Sequence, residues 1–421
     1  MSKRDVRMRG FEARSTVTDA LAWVDASSGA DASPHRTEQI PARDAWGRVL
    51  ATAVIAQTSV PPFVRSAMDG YALRGDETTG AGTYQPLPFS VIGESLPGRP
   101  FDGAVVPGTC VRIMTGAPLP SGADAVLPVE LTEPLSGGGL VGGDISAIEN
   151  VSPGKHVGQV GEDVPKGSEV LSAGRRLRPQ DVGILAAVGV TTIEVWARPR
   201  VAILVTGNEL AEAGTARGDH QIYDSNTDML RALVTRDGGD VIGVTRLADD
   251  RDAIRRALLA SDSEVVLFSG GSSVGAEDHA PQIVAEVGEL AIHGVAMRPS
   301  SPAGMGRVKH RLVFLLPGNP VSCLCAYEFF AGRAIRSLGG RSADWPHRFV
   351  RLPVGKKLVS MVGRVDYARV RIVDGQVEPV ATSGASILSS TVRADGFVII
   401  PSELEGYGPG VEVDVGLYGE P

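Results

Sequence analysis

Between residues 199 and 340 the chain alternates strand-like apolar runs with amphipathic, helix-like segments. RVAILVTG is followed by DMLRALVTRDGG, and DVIGVTRL by DDRDAIRRALLA; EVVLFSGG and RLVFLLPG then lead into VSCLCAYEFFAGRAIRSLGG. Repeats of strand and helix join by right-handed crossovers and build a largely parallel sheet covered on both faces. Such a sheet presents its ligand crevice outside the carboxyl ends of its strands. Three of the runs end in polar, glycine-bearing turns: TGNEL after Val205, SGGSSVG after Phe268 and PGNP after Leu316. The pattern predicts that these turns gather at one edge.

The rest of the chain reads differently. STVTDALAWVDASSG, residues 15–29, places Val17, Leu21 and Val24 at helical spacing behind a Ser/Thr cap. Residues 57–130 are short apolar runs broken by Pro and Gly, the pattern of a small β-rich domain, and 137–144 (GGGLVGGD) is an exposed hairpin or loop. DVGILAAVG has helical spacing and precedes the strand-like TTIEVW, while residues 345–418 return to short strands with Gly turns, a small barrel or sandwich. A chain of 421 residues exceeds one compact core, so several domains are expected. The net charge of −8 offers no basic surface for a nucleic-acid backbone. The three cysteines form no Cys-x-x-Cys pair, which fits a reducing, cytoplasmic setting. The start has no apolar core of an export signal, and no stretch has the roughly 20 apolar residues of a membrane span.

The turns carry candidate chemistry. Ser269, Gly270, Gly271, Ser272, Ser273 and Gly275 offer backbone N–H groups with little side-chain bulk, able to close around phosphate oxygens. No Gly-Lys-Ser/Thr follows, so this is not a Walker A loop. In Pro317, Gly318, Asn319 and Pro320, Asn319 is placed to cap the next helix and Pro320 fits its first turn, giving a second anion site. Glu209, Asp249, Asp250 and Asp278 each have an ordinary reading as a cap or a solvated charge. Brought to one edge beside phosphates they become candidates for magnesium, which takes oxygen ligands. His220, His279 and His293 are not arranged as metal pairs, and Cys323 and Cys325 read as packed thiols. Asp69-Gly70, within SAMDGYA, has the chemistry of a hairpin turn.

Taken in order, SAMDGYA, IMTGAPLPSGADAVLPVE, GEDV, RPQDVGILAAVG, PRVAILVTGNEL, IYDSN, SGGSSVG and LPGNPVS closely resemble the molybdopterin molybdenumtransferase family, the MoeA and gephyrin E-domain group. The resemblance runs from about the first helix to the C-terminus. It implies a multi-domain α/β plus β chain: a discontinuous domain (12–50 and 164–197), a β-rich insertion (51–163), a central molybdopterin-binding α/β domain with a mostly parallel sheet (198–340) and a C-terminal β barrel (341–421). It further implies a homodimer, in transient contact with other proteins of cofactor synthesis. The implied reaction takes adenylyl-molybdopterin and molybdate, cleaves the adenylyl phosphoanhydride with Mg2+, and releases molybdenum cofactor and AMP. Carried over by motif, Asp69, Thr115 and Asp163 come from the β-rich region; Glu209, Asp249 or Asp250, and Asp278 serve the nucleotide, metal and pterin end. Arg298, Ser301, Arg369 and Ser386 fall near the molybdate site.

Two positions depart from the family pattern. MRPSSPAGMG stands where a Lys-Pro-Gly-Lys-Pro run is usual, so Ser301 replaces a lysine while Arg298 keeps a positive charge. Asn208 stands where aspartate is common. A serine restores only a hydrogen bond where an ammonium supplied a point charge. A diverged paralogue with weak insertion activity, or a non-catalytic scaffold, is the alternative.

Overall fold

The protein is described here from a computed structural model covering residues 14–29, 36–271, 279–381 and 384–419. The chain divides into two compact units: Gln39–Val195, and Met1–Glu38 with Trp196–Pro421.

The larger unit is organised by a six-stranded sheet of β1 (Arg200–Thr206), β2 (Asp240–Leu247), β3 (Val265–Ser269), β4 (Glu289–His293), β5 (Gly304–Val308) and β6 (Arg311–Leu316), in the order β2-β1-β3-β6-β5-β4. Strands β2, β1, β3 and β6 are parallel, as the alternation predicts; β5 and β4 add an antiparallel edge. The apolar pattern does not announce that edge, because β5 is GMGRV, poor in strand formers. Its glycines have a packing reason: a Cβ on Gly306 would lie 2.0 Å from the Glu289 carbonyl oxygen of β4.

Strands β1, β3 and β6 are buried along nearly their whole length. Alternate side chains enter opposite cores. Val201, Ile203, Val265, Leu267 and Phe314 join α1 (Val17–Ser28) and α2 (Asn226–Arg236) on one face; Leu204, Val266, Phe268, Val313 and Leu315 meet α3 (Arg251–Ala260) and α4 (Ala280–Val287) on the other. Helix α1 begins as its sequence requires, with Thr16 Oγ1 accepting from the Asp19 amide at 3.0 Å. It shares its core with the α/β sheet, whereas the division expected from the sequence grouped it with residues 164–197.

After β6, α5 (Pro320–Ala326) runs through a π-helical turn, Tyr327–Ala331, into α6 (Gly332–Leu338). That turn buries an ion cluster. Glu328 accepts from Arg236 at 2.7 and 3.0 Å, and its Oε1 lies 3.3 Å from His347 Nε2 in the C-terminal segment; Arg236 and Arg336 both meet Asp237. Residues 349–417 form a mostly antiparallel half-barrel, and among the described residues its end strands, Met297–Arg298 and Phe349–Pro353, do not pair with each other.

The smaller unit carries a six-stranded sheet in the order Ala125–Pro128, Gly70–Leu73, Thr109–Ile113, Leu87–Ser95, Asp144–Ala147, Thr132–Ser136. A second core there gathers Leu50, Leu177, Leu185 and Val195. Asp69-Gly70 is not a hairpin turn, because the strand it leads into, Gly70–Leu73, pairs with Thr109–Ile113 and Ala125–Pro128.

Burial alone would push the Glu328 carboxyl up, but the His347 and Arg236 contacts outweigh it and hold the group down at about 2, against an ordinary 4.5. A depressed carboxyl contributes stability that is complete above its unfolded value and is lost as pH falls through the folded one. Urea midpoints are expected to fall between pH 5 and pH 2. Glu328→Gln should flatten that dependence and lower the neutral-pH stability by roughly 3–5 kcal/mol, the cost of breaking a buried pair.

Candidate functional site

Parallel register sets the site. Val205 of β1 is level with Ser269 of β3, and Ser269 with Leu316 of β6, so the turns that follow leave the sheet side by side. The Gly270 amide donates to the Leu316 carbonyl at 3.2 Å. Gly270 has φ +89, and a Cβ there would lie 2.3 Å from the Thr206 carbonyl oxygen, so only glycine fits. The turns enclose a cavity of about 630 Å³ lined by Thr206, Glu209, Asp249, Ser269, Gly270, Gly271, Pro317, Gly318, Asn319, Pro320 and Ser386, among others. Ser272, Ser273, Gly275 and Asp278 lie outside the described residues.

The paired aspartates divide their work. Asp249 lines the cavity and accepts from the Asn208 amide at 3.1 Å, tying the turn after β1 to the turn after β2. Asp250 is the N-cap of α3, its side chain accepting from the Ala253 amide at 2.7 Å. Asn319 occupies the N-cap position of α5, but it does not cap it with its side chain; Oδ1 instead accepts from Ser386 Oγ at 2.8 Å. The described lining of this cavity contains no Lys or Arg. Its charge is acidic, which suits a cation or a donor-rich ring, with backbone amides as the groups available to phosphate.

The cations lie next door. A second cavity of about 720 Å³ shares Pro302, Pro317 and Asn319 with the first and is lined by Arg14, Arg298, Ser301 and Arg364. Strand Met297–Arg298 pairs with Val365–Val373 so that Arg298 stands opposite Asp366, whose carboxylate is wholly buried. Asp366 accepts from Arg298 and from Ser360 Oγ at 2.8 Å, and lies 3.2 Å from Arg364 Nε. One buried anion thus seats two guanidinium groups side by side. Arg298 Nε and Arg364 Nη2 have no hydrogen-bond partner among the described residues. Two guanidinium groups lining one cavity suit a tetrahedral oxyanion.

Three family models cover the chain: MoeA N-terminal region (domain I and II) over residues 12–189, probable molybdopterin binding domain over 202–337, and MoeA C-terminal region (domain IV) over 351–418. The chain belongs to the MoeA family. It is 36% identical over 389 residues to molybdopterin molybdenumtransferase 2 of Mycobacterium tuberculosis (89% of this chain, 94% of the relative). It is 32% identical over 394 residues to the molybdopterin molybdenumtransferase of Haemophilus influenzae (91% and 94%). A crystal structure of the MoeA protein from Pyrococcus horikoshii superposes with a TM-score of 0.79 at 29% identity, covering 96% of this chain and all of that one.

Within this MoeA-family chain the structure distributes the remaining residues carried over by resemblance. Arg369 lies inside the strand Val365–Val373, wholly buried, and is not among the residues lining the basic cavity; Arg364, five positions earlier, is. Sequence reading missed Arg364 because the run GRVDYARVRIV offers several arginines and alternation alone does not say which leaves the strand. The signal that finds it is Asp366, a carboxylate on a buried strand that requires cationic partners. In the smaller unit Asp69 Oδ1 accepts from the Thr115 amide at 2.7 Å and its hydroxyl at 2.8 Å, contacts that hold the Asp69 carboxyl below its ordinary value. Asp163 is exposed. Cys323 and Cys325 are buried free thiols, and burial pushes the Cys323 thiol up to about 12, so it stays protonated.

Arg298→Ala and Arg364→Ala are each expected to weaken tungstate or sulfate binding by roughly 10-fold or more, the loss of one charge-assisted hydrogen bond. Calorimetric titration at fixed ionic strength checks this. An affinity unchanged from the wild type in both variants would remove the basic cavity as an oxyanion site.

Proposed function

We propose that this protein is a molybdopterin molybdenumtransferase, taking adenylyl-molybdopterin and molybdate and releasing molybdenum cofactor and AMP as the adenylyl phosphoanhydride is hydrolysed. The observation that carries the reading is the adjacency of an acidic, glycine-lined cavity and a basic one across shared walls at Pro302, Pro317 and Asn319. An enedithiolate has to meet a tetrahedral dianion while an anhydride is cleaved, which calls for an oxyanion seat beside a nucleotide and metal seat.

In this reading Arg298 and Arg364 attract and orient molybdate, with Ser301 in the same cavity offering a hydroxyl; Ser386 lines the acidic cavity instead and donates to Asn319. The backbone amide of Gly271 would face phosphate oxygens, that of Gly270 being bonded to the Leu316 carbonyl. Glu209 and Asp249 would hold magnesium. Among the described residues no three His, Cys, Asp or Glu side chains converge on a metal position. Two carboxylates completed by substrate oxygens are nonetheless an ordinary magnesium donor set. Magnesium, when bound, supplies charge neutralisation at the phosphoanhydride. Thr115 holds the Asp69 carboxyl below its ordinary value and so makes it a weaker base, which suits an orienting or electrostatic role more than that of a general base. Family membership supports a homodimer in which Asp69, Thr115 and Asp163 act on the partner's substrate. No described helix is long and apolar enough to cross a membrane, and the cysteines are free, which supports a cytoplasmic setting.

Purified protein with adenylyl-molybdopterin, molybdate and magnesium is expected to release AMP and yield cofactor that reconstitutes an apo-molybdoenzyme; no AMP release at saturating substrates would overturn the reading. Glu209→Ala and Asp249→Ala should each lower turnover by about 100-fold, the scale of one lost electrostatic contact in an active site. Asp250→Ala should instead leave turnover within a few-fold and cost about 1 kcal/mol of stability as a lost cap. Ser301 stands in the basic cavity where the family resemblance implies a lysine, so Ser301→Lys is expected to lower the molybdate concentration needed for half-maximal turnover. An unchanged value would mean that Arg298 and Arg364 already suffice.

A further inference from the structure

One side chain holds the two glycine-rich turns together. Asn226, the first residue of α2, is only 7% exposed; its Nδ2 donates to Ser269 Oγ at 3.0 Å and to the Gly318 carbonyl at 2.8 Å. A backbone carbonyl can only accept, so the amide has one orientation: nitrogen toward Gly318, Oδ1 turned away. Both N–H groups are thereby spent, one on each turn. Oδ1 is buried with no hydrogen-bond partner among the described residues, and Asn226 lines the acidic cavity. Thr206 Oγ1, at the end of the adjoining strand β1, is buried without a partner in the same way and lines the same cavity.

A buried, desolvated carbonyl oxygen is costly to leave unmatched, and native structures keep such groups where something else supplies the donor. This one can accept only. The carboxylates of Glu209 and Asp249 line the same cavity, and the described lining holds no Lys or Arg, so the surroundings favour a ligand edge that presents N–H groups. We propose that Asn226 determines specificity in this site: Oδ1 accepts a hydrogen bond from a ring N–H or exocyclic amine of a nitrogen heterocycle, while Nδ2 keeps the turns at the spacing that admits the ring. A site built around a hydrogen bond discriminates strongly against analogues that lack the donor, because the buried acceptor is then left unpaired. The assignment rests on the reading that this cavity receives adenylyl-molybdopterin, whose adenine and pterin both carry such donors.

The test uses the full chain with magnesium and three probes: AMP, purine riboside 5′-monophosphate, which lacks the exocyclic amine, and molybdopterin. If adenine supplies the donor, the wild type should prefer AMP over the purine nucleotide by about 10-fold or more, and Asn226→Ala should bring that ratio near one. If the pterin supplies it, the ratio is near one in both proteins, and Asn226→Ala weakens molybdopterin by about 10-fold or more while AMP affinity changes less than about two-fold. Asn226→Asp keeps an acceptor oxygen but turns a carboxylate toward the Gly318 carbonyl. It should keep the discrimination at a lower melting temperature, and it serves if the alanine variant does not fold. Unchanged affinities, or an equal loss of all three probes accompanied by a lower melting temperature, would overturn the proposal and leave Asn226 as a structural tie. A wild type that binds none of the probes overturns the functional reading itself.

Discussion

Three parallel strands ending at the same level govern the site. Because Val205, Ser269 and Leu316 are in register, the chain must turn out of the sheet on three adjacent strands spaced about 5 Å apart, and little side-chain volume can be accommodated there. Gly270 meets that constraint through its positive φ and its approach to the Thr206 carbonyl; Gly318 lies near enough that a Cβ on it would sit 3.6 Å from Gly270 Cα. Asn226 then fixes the spacing by spending both amide hydrogens on the two turns. The cavity is a consequence of register, and its chemistry a consequence of which polar groups the turns leave facing inward.

Charge separation follows from a second register. Placing Arg298 opposite Asp366 joins the α/β part of the chain to the C-terminal half-barrel and seats Arg298 and Arg364 on one buried carboxylate. Acidic and basic groups therefore occupy neighbouring cavities without neutralising one another across the shared wall of Pro302, Pro317 and Asn319. Asn319, bonded to Ser386, stands at that boundary, which accounts for its side chain not being spent on its own helix cap. Farther from the site, the Glu328 cluster ties the helix after β6 to His347 of the C-terminal segment.

What the sequence made legible follows physical lines. Apolar runs buried on both faces are unmistakable, so β1, β3, β6 and the gathering of their turns could be anticipated from the alternation alone. The antiparallel edge could not, because β5 gains its place through the glycines that let β4 approach, and glycine has no apolar signal. Among the site residues, Glu209 and Asp249 follow from their positions after strands, while the split between Asp249 and Asp250 depends on which carboxylate meets the Ala253 amide. Arg364, and the contact made by Asn226 at the end of the IYDSN motif, were hidden for a common reason. Each acts through a partner distant in sequence, Asp366 lying across a strand pairing and Gly318 on another turn, and no local pattern encodes such a meeting.

In the proposed function, oxyanion and nucleotide occupy separate, adjoining seats of opposite charge. Anomalous diffraction at the molybdenum edge, from crystals soaked with molybdate and magnesium AMP, tests it most directly. The molybdenum peak is expected in the cavity of Arg298 and Arg364, with AMP against the turns that carry Gly270 and Gly318. A molybdenum peak seated on those glycine turns, between Glu209 and Asp249, would contradict it.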